Sequence, residues 1–313
     1  MTSSVRVTAP ASTSNLGPGF DALGMALNLR NDVTMHVAGK FRKGGVPMVS
    51  VTIEGRGGDS LPHDATNLVA RAAQKVFDLA GKTPERLSLH LVNCVPLASG
   101  LGSSAAATVA GMVAANLLCG AKLEADELLQ LACEMEGHPD NVAPALLGGL
   151  TVSVLDEAGK AHVMQPRLRN DLHFIFCVPE KPLSTATARR ALPATYSRAD
   201  AVYSLSRAAM LTALLQGGPK ELFRTAMGDR LHQPYRVKLM PGLSEAMAAA
   251  EAAGALGSSL SGSGPTILAI ADRRADTDAI SRAMSAAFRK NHIGSETMVL
   301  AASRAGARIS GKS

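Results

Sequence analysis

The sequence predicts an α+β fold in two domains, and three observations carry that prediction. Its 313 residues exceed what one comfortable core encloses. Strand-like and helix-like runs interleave without the strict βαβα rhythm of a doubly wound sheet. A polar stretch from Glu157 to Arg169 separates two strand runs and makes the natural boundary. The expected domains are therefore residues 1–160 and 161–313.

β-rich or alternating runs predict strands at Val5–Ala9, Val33–Val37 and Met48–Glu54, with the basic, glycine-bearing tip Lys40 to Gly45 between the last two. Apolar residues spaced three and four apart predict a helix over Asn67–Leu79. The strand Leu87–Val95 stops at Pro96, and a small-residue helix follows over Ala105–Leu118. The helix Ala125–Glu136 ends at Gly137, and a short helix begins after Asn141. Strands follow at Thr151–Leu155 and Leu172–Val178. Helices are expected at Thr185–Ala191, Ala201–Leu215, Lys220–Met227 and Leu243–Ala253. The strand Thr266–Ala271, the helix Thr277–Phe288 and the strand Glu296–Ala301 complete the pattern. Arg304 to Ser313 reads as a frayed polar tail.

Composition narrows the function. The apolar fraction of 46% and charged fraction of 19% are those of a soluble globular protein. No apolar run reaches membrane-spanning length, and the N-terminal residues lack a signal peptide's apolar core, so a cytoplasmic protein with no membrane partner is expected. Four cysteines without a C-x-x-C pair read as buried, reduced thiols. The net charge of +6 raises nucleic acid as a partner. Scattered basic residues, absent Trp and only three Tyr argue against it, and a basic balance suits anionic small substrates equally well.

Glycine-rich segments carry the chemistry. Pro96-Leu-Ala-Ser-Gly-Leu-Gly-Ser-Ser104 runs from an apolar strand into an alanine-rich helix. Small residues leave backbone N–H groups uncovered, and the helix N-terminus adds partial positive charge, a combination that attracts phosphate. It is not a Walker A loop, because no Lys follows the second glycine; another group must neutralise the phosphates. Ala9 to Asp21 forms an irregular Pro/Gly loop that presents Asn15 and Asp21, although a tight turn with both side chains bonding their own backbone is the plain alternative. Gly257 to Thr266 is a donor-rich loop before a strand. In Cys133-Glu-Met-Glu-Gly-His-Pro-Asp-Asn141, Glu134 and Glu136 point to different faces of their helix. Glu134 is taken as inward and Glu136 as solvated. His138 stands beside Asp140 and Asn141 as a polar cluster.

Together these segments resemble the three motifs of the GHMP kinases. The family pattern P-x-x-x-G-L-G-S-S-A is matched residue for residue by Pro96 to Ala105. The chain is more similar to the homoserine kinase branch, through Ser14-Asn-Leu-Gly17, Gly19-Phe-Asp21, Gly137 to Gly149, Thr185 to Pro193, Gln233 to Arg236 and Ser261 to Pro265. That resemblance implies a two-domain GHMP kinase fold: an N-terminal ribosomal-protein-S5-domain-2-like domain with a left-handed βαβ arrangement, and a C-terminal ferredoxin-like domain. It implies ATP and Mg2+ as cofactors and L-homoserine as the small-molecule substrate, and it is compatible with a homodimer.

The resemblance also assigns roles. Pro96, Leu97, Ala98, Ser99, Gly100, Leu101, Gly102, Ser103, Ser104, Ala105 and Ala106 would wrap the phosphates, with Asn67 near adenine; an N-cap role for Asn67 is the plain alternative. Ser104 and Glu134 would hold Mg2+. Arg189 and Arg236 would clamp the substrate carboxylate. Asn15 and Asp21 would meet its ammonium and hydroxyl end, with His138, Thr185, Asn141 and Gly262 completing the wall. Asp140 and Asn141 are the catalytic candidates, and Asp140 either accepts the proton or orients groups. A mevalonate-type kinase is the alternative; it would keep the ATP loop and lose the two-arginine pocket.

Overall fold

A computed structural model describes residues 4–312. In chain order the first domain runs β1 (Ser4–Asn15), β2 (Gly19–Arg42), β3 (Met48–Gly55), α1 (Leu68–Ala80), β4 (Thr83–Asn93), α2 (Ser103–Cys119), α3 (Ala125–Glu136), α4 (Pro139–Leu147), β5 (Leu150–Leu155) and β6 (Ala161–Met164). The second contains β7 (Leu172–Pro179), α5 (Thr185–Arg190), α6 (Arg198–Gln216), α7 (Phe223–Ala226), α8 (Gln233–Arg236), α9 (Leu243–Ala252), β8 (Gly257–Leu260), β9 (Ile267–Asp272), α10 (Thr277–Lys290) and β10 (Ser295–Leu300). The last strand is β11 (Arg308–Lys312).

The first sheet has the order β11-β1-β2-β4-β3, and β5 pairs with β2 and β6. Neighbouring β3 and β4 are parallel and are joined through α1, as a βαβ unit. The core packs Val7, Val33 and Leu89 of the sheet against Phe77 of α1 and Val109 and Met112 of α2. Helix α2 is small and apolar on nearly every side because it is buried on nearly every side. At Gly111 a Cβ would lie 2.7 Å from the Val69 carbonyl oxygen, so only glycine lets α1 come this close.

The second sheet, β10-β7-β9-β8, is antiparallel throughout. That order, with helices after β7 and β9, is the ferredoxin-like arrangement. Alternation along β7 divides its side chains. Ile175 and Cys177 pack on Leu243 of α9 and on Met284 and Phe288 of α10. Phe174 and Phe176 face the other way, into a cluster with Leu23, Met25 and Leu27 of β2 and Leu211 of α6. This second cluster docks the two domains against each other and leaves a cleft above it.

Five expectations need correction. The irregular loop expected from Ala9 to Asp21 is mostly β1 paired with β2, and only residues 16–18 form the turn between them. The polar tail is a strand: Val7 pairs with Ile309 and Thr8 with Arg308, so the chain end returns to the first sheet. An edge strand whose one apolar residue is the exposed Ile309 leaves no apolar alternation to read. The first sheet also takes β6, so residues 161–164 and 308–312 join it from beyond residue 160. Helix α4 starts at Pro139 rather than after Asn141, because proline suits a first helical position. Cys94 is exposed, whereas the other three cysteines are buried, and all four are free. Among the described residues no helix is long and apolar enough to cross a membrane.

Candidate active site

Residues far apart in the sequence meet in one cleft of about 340 Å3. The loop Pro96–Gly102 is held on both sides. The Ser12 amide donates to the Leu101 carbonyl at 3.1 Å, and Ser261 Oγ donates to the Gly100 carbonyl at 2.7 Å. The contact distances explain the two glycines. A Cβ at Gly100 (φ +86°) would lie 2.2 Å from Ser261 O, and one at Gly102 (φ +66°) 2.1 Å from Ser12 Oγ. Asn15 Nδ2 donates to the Gly262 carbonyl at 2.7 Å, closing the ring between the first and third glycine-rich segments. Asn15, Leu16, Asp21 and Ala98 all have positive φ, so non-glycine strain gathers around this cleft.

At one end lies the start of α2. Its N-cap is Gly102, with no side-chain hydrogen bond to the first turn. The amides of the first turn therefore have no partner within the helix, and they open on the cleft lined by Ser103, Ser104 and Ala105. Ser104 Oγ donates to Glu136 Oε1 at 2.6 Å, and Thr108 Oγ1 donates to the same oxygen at 3.1 Å. This cluster of hydroxyl and carboxylate oxygens is a donor set that suits a hard divalent cation such as Mg2+.

The other end is built for a zwitterion. Arg189 reaches Asp21 with two bonds of 2.8 and 3.1 Å. Burial works against its charge, but the contact with Asp21 outweighs this and raises the guanidinium pKa. Arg190 turns outward to Thr187, which singles out Arg189. Arg236 is 1% exposed and, among the described residues, has only neutral acceptors: Ala188 O at 3.5 Å, Gly262 O at 3.2 Å and His232 Nδ1 at 3.2 Å. Burial, and then Arg189, lowers its pKa to about 10. A buried cation without a carboxylate partner is costly to keep, and it lines the cleft beside Asp21.

Between the ends, Asp140 is 1% exposed, and His138 Nδ1 lies 2.5 Å from its Oδ1. Burial opposes charge on His138, yet its hydrogen bond and proximity to Asp140 prevail, and its pKa is raised. Asn141 Nδ2 donates to Ser14 Oγ at 2.8 Å, and Asn141 Oδ1 accepts from Ser12 Oγ at 2.9 Å. Both Asp140 and Asn141 sit in the first turn of α4. Thr185 Oγ1 lies 3.2 Å from Ser263 Oγ, bridging α5 to the third glycine-rich loop.

Four candidates fall outside the cleft lining. Asn67 caps α1, the plain alternative: it accepts from the Val69 amide at 3.0 Å and donates to the Pro62 carbonyl at 2.8 Å. Leu97 faces a neighbouring depression, and Ala106 is packed in the core. Glu134 points to solvent and accepts from Gln130 one turn earlier. Glu136 takes the place expected for Glu134, a reversal that the helix stripe Leu129, Ala132, Cys133 and Glu136 already encoded. The structure adds Ser14, Leu68, Arg71 and Ser263 to the lining. Among the described residues, Arg71 is the one arginine or lysine at the phosphate end, where a P-loop lysine is absent.

The GHMP kinases N terminal domain model matches residues 67–149, and the GHMP kinases C terminal model matches residues 210–290. A homoserine kinase of Moorella thermoacetica is 43% identical over 92% of this chain and 93% of its own. The chain belongs to the GHMP kinases, on their homoserine kinase branch. Among solved structures, this GHMP kinase superposes on homoserine kinase from Cytophaga hutchinsonii with a TM-score of 0.87 and 34% identity, covering 99% of this chain and 98% of that one. L. major mevalonate kinase in complex with R-mevalonate has a TM-score of 0.71 at 18% identity, covering 96% and 98%; it shares the fold alone.

Proposed function

We propose that this GHMP kinase transfers the γ-phosphoryl group of ATP to the side-chain hydroxyl of L-homoserine, giving ADP and O-phospho-L-homoserine on the way to threonine. The observation that carries the reading is Arg236, a buried cation with no acidic partner that lines the same cleft as the uncapped amides of α2. The α-carboxylate takes the guanidinium groups of Arg236 and Arg189, which bind it in a fork. Asp21, now paired with Arg189, receives the ammonium. The hydroxyl arm then reaches toward Asp140 and Asn141, with Thr185 and Gly262 closing the pocket.

Loop and α2 amides hold the triphosphate, and Arg71 adds positive charge at the same end. Ser104 and Glu136 would hold Mg2+, which when bound neutralises phosphate charge. Phosphoryl transfer passes through a loose transition state, so alignment and charge neutralisation supply most of the rate. The homoserine oxygen forms a bond to the γ-phosphorus while the bond to the β-bridging oxygen breaks. Asp140 takes the hydroxyl proton, and Asn141 fixes the oxygen that loses it. The free cysteines suit a reducing cytoplasm.

A coupled ADP-release assay with L-homoserine, L-serine, L-threonine, mevalonate and no acceptor tests this. ADP release that depends on L-homoserine is expected. Release that depends on mevalonate instead would assign the other branch of the family.

A further inference from the structure

Helix α8 has only four residues, too few to hold a buried guanidinium at a fixed angle alone. The residue before it, His232, is fully buried and makes three contacts with the pocket's framework. Its Nε2 lies 2.7 Å from the Gly17 carbonyl oxygen, and its Nδ1 lies 3.2 Å from Arg236 Nη1. Its ring stacks on Phe20 with centroids 5.1 Å apart. The Phe20 ring also carries the guanidinium of Arg236 at 5.2 Å and that of Arg189 at 5.9 Å. Asp229 fixes the backbone by accepting from the His232 and Gln233 amides, each at 2.8 Å.

The partners dictate one protonation state. Guanidinium nitrogens only donate, so Nδ1 must be bare to accept. A carbonyl only accepts, so Nε2 must carry the hydrogen. Both contacts therefore demand the same neutral tautomer. Burial supplies it, and Arg236 adds to the effect: despite the pull of Asp229, the imidazole pKa falls to about 4.

We propose that His232 is a positioning residue, which aims the Arg236 fork and ties it to the Gly17–Asp21 loop. The carboxylate-binding and ammonium-binding halves of the pocket are thereby held at one spacing. The inference rests on the homoserine reading above. Its consequence is selectivity: His232 contributes to binding only for acceptors that carry a carboxylate.

The test uses 3-aminopropan-1-ol, which keeps the ammonium and hydroxyl and lacks the carboxylate. In His232→Phe, which keeps an aromatic ring and loses both hydrogen bonds, KM for L-homoserine should rise about fivefold or more, as the loss of a net hydrogen bond to Arg236 requires. The inhibition constant of the amino alcohol and KM for MgATP should stay within about twofold. His232→Asn, which retains an acceptor near Nδ1, should recover most of the loss. Added to Arg236→Met, His232→Phe should cost nothing further, because both changes remove one interaction. Equal weakening of the two amines, or full additivity with Arg236→Met, would overturn the proposal. Should His232→Phe fail to fold, His232→Asn and His232→Gln, opposite in which bond they keep, carry the comparison. A wild-type protein with no homoserine-dependent turnover would refute the functional reading instead, and so keeps the two failures distinct.

Discussion

Replacing Arg236 by methionine should separate function from stability. The fall of its pKa from the ordinary guanidinium value to about 10 corresponds to about 3 kcal/mol, an order-of-magnitude penalty on the native state. Because the folded value lies below the unfolded one, the penalty is complete below about pH 10, where both states are charged. It fades as pH rises above that toward the ordinary guanidinium range. Methionine of similar length removes that penalty but also loses three contacts to neutral acceptors, at about 1 kcal/mol each. The two effects nearly cancel, so the melting temperature should stay within a few degrees of wild type. Homoserine use should collapse. A lost bidentate, charge-assisted contact is worth about 3–4 kcal/mol, which is a factor of about 10^2–10^3 in kcat/KM, expressed mainly in KM for homoserine. Coupled ADP release at saturating MgATP, beside a thermal melt, measures both. A large fall in melting temperature, or a raised KM for MgATP with homoserine kinetics unchanged, would refute the reasoning.

Three further outcomes follow from the same geometry. Gly102→Ala should lower kcat/KM for MgATP at least about 100-fold, since its Cβ would strike Ser12 Oγ at φ +66° and force the loop off the α2 amides; a normal MgATP response would contradict the loop's role. Glu136→Gln should raise the Mg2+ concentration needed for half-maximal activity about tenfold, whereas Glu134→Gln should leave it within about twofold, as titration of Mg2+ at fixed ATP would show. The raised pKa of His138 means that its pairing with Asp140 stabilises the fold fully below about pH 6.5, and that this contribution disappears as pH climbs through the folded value. The melting-temperature gap between wild type and His138→Gln should therefore shrink from pH 6 to about pH 9, and a gap that widened would reverse the sign.

Much of this architecture was legible in the chain because it rests on local rules. The phosphate loop is readable since Gly100 and Gly102 bracket a strand-to-helix turn that only positive φ permits. Most helices and strands fall where periodicity puts them, within a few residues. Asn67 obeys the N-cap rule, the alternative its place before the helix already offered. The departures have physical causes. Glu136 continues the buried stripe of α3, and Glu134 stands about 200° away from it on the helical wheel. His232 left no local trace: its role depends on Gly17 and Phe20, which lie more than two hundred residues away. Likewise β11 is set by the free edge of β1 and carries no hydrophobic pattern of its own.

Phosphorus NMR of the complete reaction probes the core assertion without intermediaries, because it reports which oxygen acquires the phosphoryl group. With MgATP and L-homoserine, the γ resonance should give way to a phosphomonoester signal split by two methylene protons. Inorganic phosphate alone, or an unsplit acyl phosphate resonance, would contradict transfer to the amino acid's terminal alcohol.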